Sequence, residues 1–262
     1  MLVQLTRDGA VAVLTLTRPE RRNAWGPDME AELGERVLEL GRDDSVRCIV
    51  LTGDARGKAF CAGANLKEGE THAPRRPKAF VESLDRLKDF AGNRLVDCPK
   101  PVIAAVNGYA IGAGFLLSVC ADLIVASDRA EWRMPQASLG IVASYGSYAR
   151  LLRRVGRGTV MRTALGFPMS ADDAWRTGFA QWLVPHEQLM ERAMEVARHI
   201  AGLAPLSVRL IKESVTHSAE IGNVNEASLV DLYRLMVLEY SADSEEAHAA
   251  WPAKRAPNFT GE

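Results

Sequence analysis

Hydrophobic and polar positions alternate along residues 10–17, with Val11, Val13, Thr15 and Thr17 on one side and Ala12, Leu14 and Leu16 on the other. A period of two with β-branched residues on one face predicts a strand. Residues 2–6 predict its partner across the turn Arg7-Asp8-Gly9, and Pro19 ends the pair because proline cannot continue a ladder. Over residues 28–42 the period lengthens to that of a helix, with Met29, Leu33, Val37 and Leu40 on one side. Residues 46–52, apolar over Cys48–Leu51 and closed by Gly53, read as a buried-type strand. Residues 54–63, rich in Gly and Ala, read as a loop. Residues 68–77 are charged and hold two prolines, which fits either a segment bordering a binding site or a plain surface loop. Helical spacing returns over 80–95, and Pro99 and Pro101 introduce a strand at 102–106. Further strands are predicted at 123–126 and 131–133, and from about Ser144 the pattern is helical. Ser170 followed by Asp173 marks a helix start, and helices follow around 187–202, 205–217 and 222–241. Strand–helix alternation with a helical tail predicts an α/β core carrying an α-helical C-terminal part.

Composition narrows the function classes. The chain has 262 residues, 47% of them hydrophobic, and a net charge of −1, so no basic footprint for nucleic acid is expected. No apolar run reaches the ~20 residues of a membrane helix, and the N-terminus lacks a signal-peptide layout. Cys48, Cys61, Cys98 and Cys120 lie far apart without CxxC spacing, as expected of reduced thiols in a cytoplasmic protein. The five histidines form no ligand-spaced pair, so no metal is expected.

Two segments have residues small enough for a ligand to approach the main chain: Phe60-Cys61-Ala62-Gly63-Ala64-Asn65 and Gly112-Ala113-Gly114. The second opens a helix running to Cys120, and a helix start offers free N–H groups at the positive end of its dipole. Two such amides converging on one oxygen stabilise an enolate. Spacing alone leaves close packing open as the alternative. A dinucleotide site does not fit, because the glycines do not form GxGxxG.

Five blocks, in order, resemble the crotonase superfamily, also called the enoyl-CoA hydratase/isomerase family. They are Arg18-Pro19-Glu20-Arg21-Arg22-Asn23-Ala24; residues 51–65; residues 101–122; Met134-Pro135-Gln136 running to Leu139-Gly140; and Lys254-Arg255-Ala256-Pro257-Asn258-Phe259. The resemblance implies a crotonase-like spiral of ββα units over residues 1–200 and a C-terminal α-helical trimerisation region over 201–262. It implies a homotrimer or dimer of trimers. It implies an acyl-CoA thioester as partner, with coenzyme A arriving as part of the substrate and no separate cofactor. Carried over by position, the oxyanion amides belong to Ala64 and Ala113. Arg21 or Arg22 lies near the CoA phosphates with Lys254, which reaches from a neighbouring subunit. Ala24 and Ala62 join the CoA-binding set, the main chain at Ala62 bordering the adenine. The basic run 150–157 gains no role.

The chain departs from the family where protons move. Hydration of an enoyl thioester needs a base for water and an acid for the α-carbon. The family's hydratases use two glutamates, and Leu116 and Gln136 stand at those positions. Leucine transfers no proton, and glutamine forms hydrogen bonds without acting as a base near neutral pH. Tyr145, with Ser144 beside it, is the candidate replacement; Glu68, Glu70 and His72 are further candidates, and Tyr233 and Glu239 weaker ones. Asp122 reads as structural. An enolate-forming reaction by C–C hydrolysis, decarboxylation or isomerisation is favoured over ordinary hydration. The alternatives are an acyl-CoA-binding protein without catalysis and a weak hydratase.

Overall fold

The computed structural model describes residues 1–64, 77–78, 81, 84, 90–218 and 221–262. Strands β1 (Val3–Asp8) and β2 (Val11–Leu16) pair antiparallel, from Val3 opposite Leu16 to Asp8 opposite Val11. The turn sits at Gly9 and Ala10, slightly later than the sequence suggests. Gly9 takes φ +55°, and this lets Arg7 and Asp8 stay in the ladder. Next come β3 (Cys48–Gly53), β4 (Ala59–Cys61), β5 (Val102–Val106), β6 (Tyr109–Ile111), β7 (Leu123–Ser127) and β8 (Glu131–Arg133). β9 (Met169–Ser170) and β10 (Trp182–Val184) complete the described strands. One sheet runs β1-β2-β3-β5-β7-β10 and the other β4-β6-β8-β9. Three successive stretches thus send one strand to the large sheet and the next to the small one: β3 then β4, β5 then β6, β7 then β8. This is the ββα repeat of a crotonase-like spiral.

The large sheet is parallel from β2 to β10 and buried on both faces, and β3 and β5 are buried along their whole length. Val11, Cys48, Val50, Ile103, Ala105 and Val125 point to one face, which Leu189, Ala193 and Ala197 of the Leu189–Ala201 helix cover. Leu14, Leu16, Ile49, Leu51, Ala104 and Ile124 point to the other, into the main core. There they meet Met29, Leu33, Val37 and Leu40 of the Pro27–Arg42 helix, the four positions given by the helical spacing. Each such side chain contributes roughly 1.5–3 kcal/mol of burial.

The C-terminal region comprises the helices Pro205–Ser218, Val224–Glu239 and Ala242–Ala253. Buried Lys212 fastens the first to the core. Its ammonium donates to the carbonyls of Leu95 (3.0 Å) and Lys100 (3.1 Å) and pairs with Asp122 at 2.7 Å. Arg47 donates to the carbonyls of Ala201 (3.2 Å) and Phe259 (2.6 Å). The tail is clamped by Asp243, which accepts from the N–H groups of Thr260 and Gly261, and by Glu246, which pairs with Arg255. The Val224–Glu239 helix buries none of its residues; Leu229, Leu232, Tyr233, Leu235, Met236 and Val237 are all exposed. Among the described residues, no helix is long and apolar enough to cross a membrane.

Candidate active site

Strands β4, β6 and β8 run parallel, so the segments that follow them leave the small sheet at one edge. Those segments are residues 62–64, 112–113 and 134–136, and topology alone gathers three of the sequence blocks. Two glycines bring the first two into contact. A Cβ on Gly63, at φ +84°, would stand 2.6 Å from the Ile111 oxygen and 3.8 Å from the Ala113 nitrogen. A Cβ on Gly114 would stand 2.1 Å from the Cys61 oxygen. The glycines therefore let backbone meet backbone, and the neighbouring alanines carry the amides. Ala64 is exposed and Ala113, first residue of the Ala113–Cys120 helix, is half-buried. No described residue accepts a hydrogen bond from either N–H. Gly112 precedes the helix at φ +54° without a side-chain cap, leaving its first-turn amides open at the positive end of the dipole.

Arg21 and Arg22 are exposed on a loop built around fully buried Asn23. Asn23 accepts from Arg18 N–H (3.1 Å) and donates to the carbonyls of Asp54 (3.1 Å) and Ala59 (2.8 Å). Arg22 and Asn23 both take left-handed φ, 54° and 55°. The loop then runs beside the amide segment: Ala62 N–H donates to Arg22 O (3.1 Å), and Trp25 N–H to Gly63 O (2.8 Å). Ala24 is buried and Ala62 half-buried. The positioning role of Asn23 was not read from the sequence; asparagine's tolerance of left-handed backbone is the signal that identifies such a residue.

Gln136 lies in the 3-10 turn Pro135–Leu139. Its Nε2 comes within 3.5 Å of where a Cβ on Gly112 would stand, beside the helix start. Its Oε1 is buried without a partner among the described residues. Leu116 lies one helical turn beyond Gly112 with its side chain in the main core, 4% exposed. Tyr145, at φ +56°, stacks on Phe90 with centroids 4.5 Å apart and packs half-buried against the core. Lys254 is exposed at the end of the Ala242–Ala253 helix, joined to the other candidates by no hydrogen bond or ion pair among the described residues. Asn65, Glu68, Glu70 and His72 lie outside the described residues. Burial pushes the Cys61 thiol up to about 12, so this cysteine beside the amides is no nucleophile near neutral pH.

The family model described as Enoyl-CoA hydratase/isomerase matches residues 6–262. The chain is 36% identical over 252 residues to 1,2-epoxyphenylacetyl-CoA isomerase of Escherichia coli (strain K12), covering 96% of this chain and 95% of that one. It is 37% identical over 273 residues to carnitinyl-CoA dehydratase of Proteus mirabilis (strain HI4320), covering 99% and 98%. A solved structure of enoyl-CoA hydratase subunit I from Geobacillus kaustophilus HTA426 superposes with a TM-score of 0.91 at 36% identity, covering 100% and 99%.

Proposed function

The chain belongs to the enoyl-CoA hydratase/isomerase family, the crotonase superfamily, and we propose that it converts an acyl-CoA thioester through an enolate held by the N–H groups of Ala64 and Ala113. The observation that carries this reading is the pair of open amides on turns pressed together by Gly63 and Gly114. A thioester carbonyl between them gains two donors, and these strengthen as negative charge develops on its oxygen. Arg21, Arg22 and Lys254 supply cations for the CoA phosphates, Lys254 from a second subunit. Neutral Leu116 and Gln136 argue for isomerisation, decarboxylation or C–C hydrolysis over hydration. Decarboxylation needs no general base to form the enolate: the C–C bond breaks, CO2 departs, and the electron pair passes to the thioester oxygen.

Incubation with crotonyl-CoA, following loss of enoyl absorbance, tests the departure from hydration; turnover at ordinary hydratase rates sinks it. Calorimetry with acyl-CoAs tests the thioester site, and absence of binding to all of them refutes it. A second reading, an acyl-CoA-binding protein without turnover, draws on the same two neutral side chains. It is separated by the appearance of any product from a panel of thioesters. The exposed apolar face of the Val224–Glu239 helix supports a homotrimer or dimer of trimers, which a monomer by light scattering contradicts.

A further inference from the structure

We infer that Asn23 is a positioning residue that aims the Ala64 amide, acting through the main chain of Trp25. The inference rests on the thioester reading above. A trans peptide is planar, so its N–H points away from its own C=O, and whatever holds the oxygen aims the hydrogen. Both donor peptides are held by their oxygens, in different ways. Gly112 O accepts from Leu116 N–H at 3.0 Å, so the Ala113 amide is set by its own helix. Gly63 O accepts from Trp25 N–H at 2.8 Å, so the Ala64 amide is set by a separate loop. Such a bond also polarises the peptide and strengthens its N–H as a donor. What fixes that loop is Asn23. Its main-chain N–H donates to Arg18 O at 2.8 Å and its Oδ1 accepts from Arg18 N–H at 3.1 Å, which closes the turn. Its Nδ2 donates to Asp54 O and Ala59 O, which ties the turn to the start of β4. Beyond the other end of β4, Arg22 O accepts the Ala62 N–H, and Trp25 and Ala64 form an isolated parallel bridge. The loop is thus gauged against both ends of the strand that delivers Ala64. The Trp25 side chain is seated in the main core, which leaves the turn between Arg18 and Trp25 to fully buried Asn23.

Calorimetric affinities for butyryl-CoA and its thioether S-butyl-CoA, which lacks the carbonyl oxygen, test this. Wild type is expected to bind the thioester about 10-fold or more tighter. Asn23→Gly keeps the left-handed backbone and removes the side-chain bonds, and it is expected to bring the two affinities within about 3-fold. A general loss of stability, or of the grip of Arg21 and Arg22 on the phosphates, weakens both ligands alike and leaves the ratio unchanged. Asn23→Asp keeps the shape and the acceptor but not the two donors, and it carries the same expectation should Asn23→Gly fail to fold. In wild type the Trp25 N–H is expected to exchange with solvent at least about 100-fold more slowly than an unstructured amide. Exchange at unstructured rates overturns the inference without any variant. A folded variant with the wild-type ratio overturns it too, and leaves the thioester site standing. Equal affinity of wild type for both ligands overturns the carbonyl site and the inference together.

Discussion

Gly114→Ala probes the arrangement that keeps the two amides together. The added methyl would sit 2.1 Å from the Cys61 carbonyl oxygen and 2.8 Å from the Cys61 Cβ, where real Cβ atoms keep at least 3.0 Å. Both partners are fixed, one by pairing of β4 with β6 and the other by the first turn of a helix, so the gap must open by about 1 Å. Forced overpacking of this kind costs about 1–3 kcal/mol of stability, a clear loss in chemical unfolding but not a failure to fold. The functional cost is larger. Donors aimed at an oxyanion act at about 2.7–3.1 Å, and losing one typically lowers turnover by roughly 100-fold or more. The carbonyl-specific assay compares binding of an acyl-CoA thioester with its thioether, which lacks the oxygen. Wild type is expected to favour the thioester by about 10-fold or more, and Gly114→Ala to bring the two within about 3-fold. Gly158→Ala is the control. Nothing lies within 4 Å of its Cβ, in the Arg157–Ala164 helix, so it should stabilise by about 0.4–1 kcal/mol and leave the ratio alone. A folded Gly114→Ala protein with the wild-type ratio would refute the reasoning.

Lys212→Met leaves Asp122 and the carbonyls of Leu95 and Lys100 without their shared cation. It should cost about 3–5 kcal/mol in urea unfolding, and a loss under about 1 kcal/mol counts against a buried anchor. Arg255, joined by Asn258 N–H, holds the Glu246 carboxyl down to about 2 from its ordinary 4.5. The clamped form binds its proton less readily than the released tail, so the contribution is complete above pH 4.5 and fades as pH falls toward 2. A resonance titration of the Asn258 amide should show its midpoint near 2; a midpoint near 4.5 would mean the tail is free. Burial pushes the thiols of Cys48 and Cys61 up to about 12 and Cys120 up to about 11, and raises Cys98 as well. A thiol reagent at pH 8 should label none of the four in the native protein and all four after unfolding; stoichiometric native labelling contradicts their burial.

What the chain reveals before folding follows the length of each element. Residues 27–42 cover more than four helical turns, long enough for Met29, Leu33, Val37 and Leu40 to declare a face. Strands β4, β6 and β10, three residues each, are too short to show a period, and their pairing comes from partners far along the chain. That is why residues 59–61 read as loop and residues 182–184 vanish into a helical stretch. The Ala242–Ala253 helix was not read either, since its alanines give no apolar stripe and Pro252 suggests a break. At the site, small residues and their order were visible. Which of them pack and which present an amide was not, because Gly63 and Ala64 differ only by a methyl until Ile111 arrives opposite. The unpartnered oxygen of Gln136 likewise depends on a three-dimensional neighbourhood that no spacing encodes.

The Lys212 anchor also bears on how the chain is made. Lys100 and Lys212 are 112 residues apart, which at synthesis rates of roughly 5–20 residues per second is on the order of 10 s. For that interval the carbonyls of Leu95 and Lys100, and the carboxylate of Asp122, wait in a nascent chain without their cation. The carbonyl of Phe259 reaches Arg47 later still, after a gap of 212 residues. Docking of the Pro205–Ser218 helix and of the tail therefore waits for roughly the last fifth of the chain, and until then these polar groups depend on water for their hydrogen bonds.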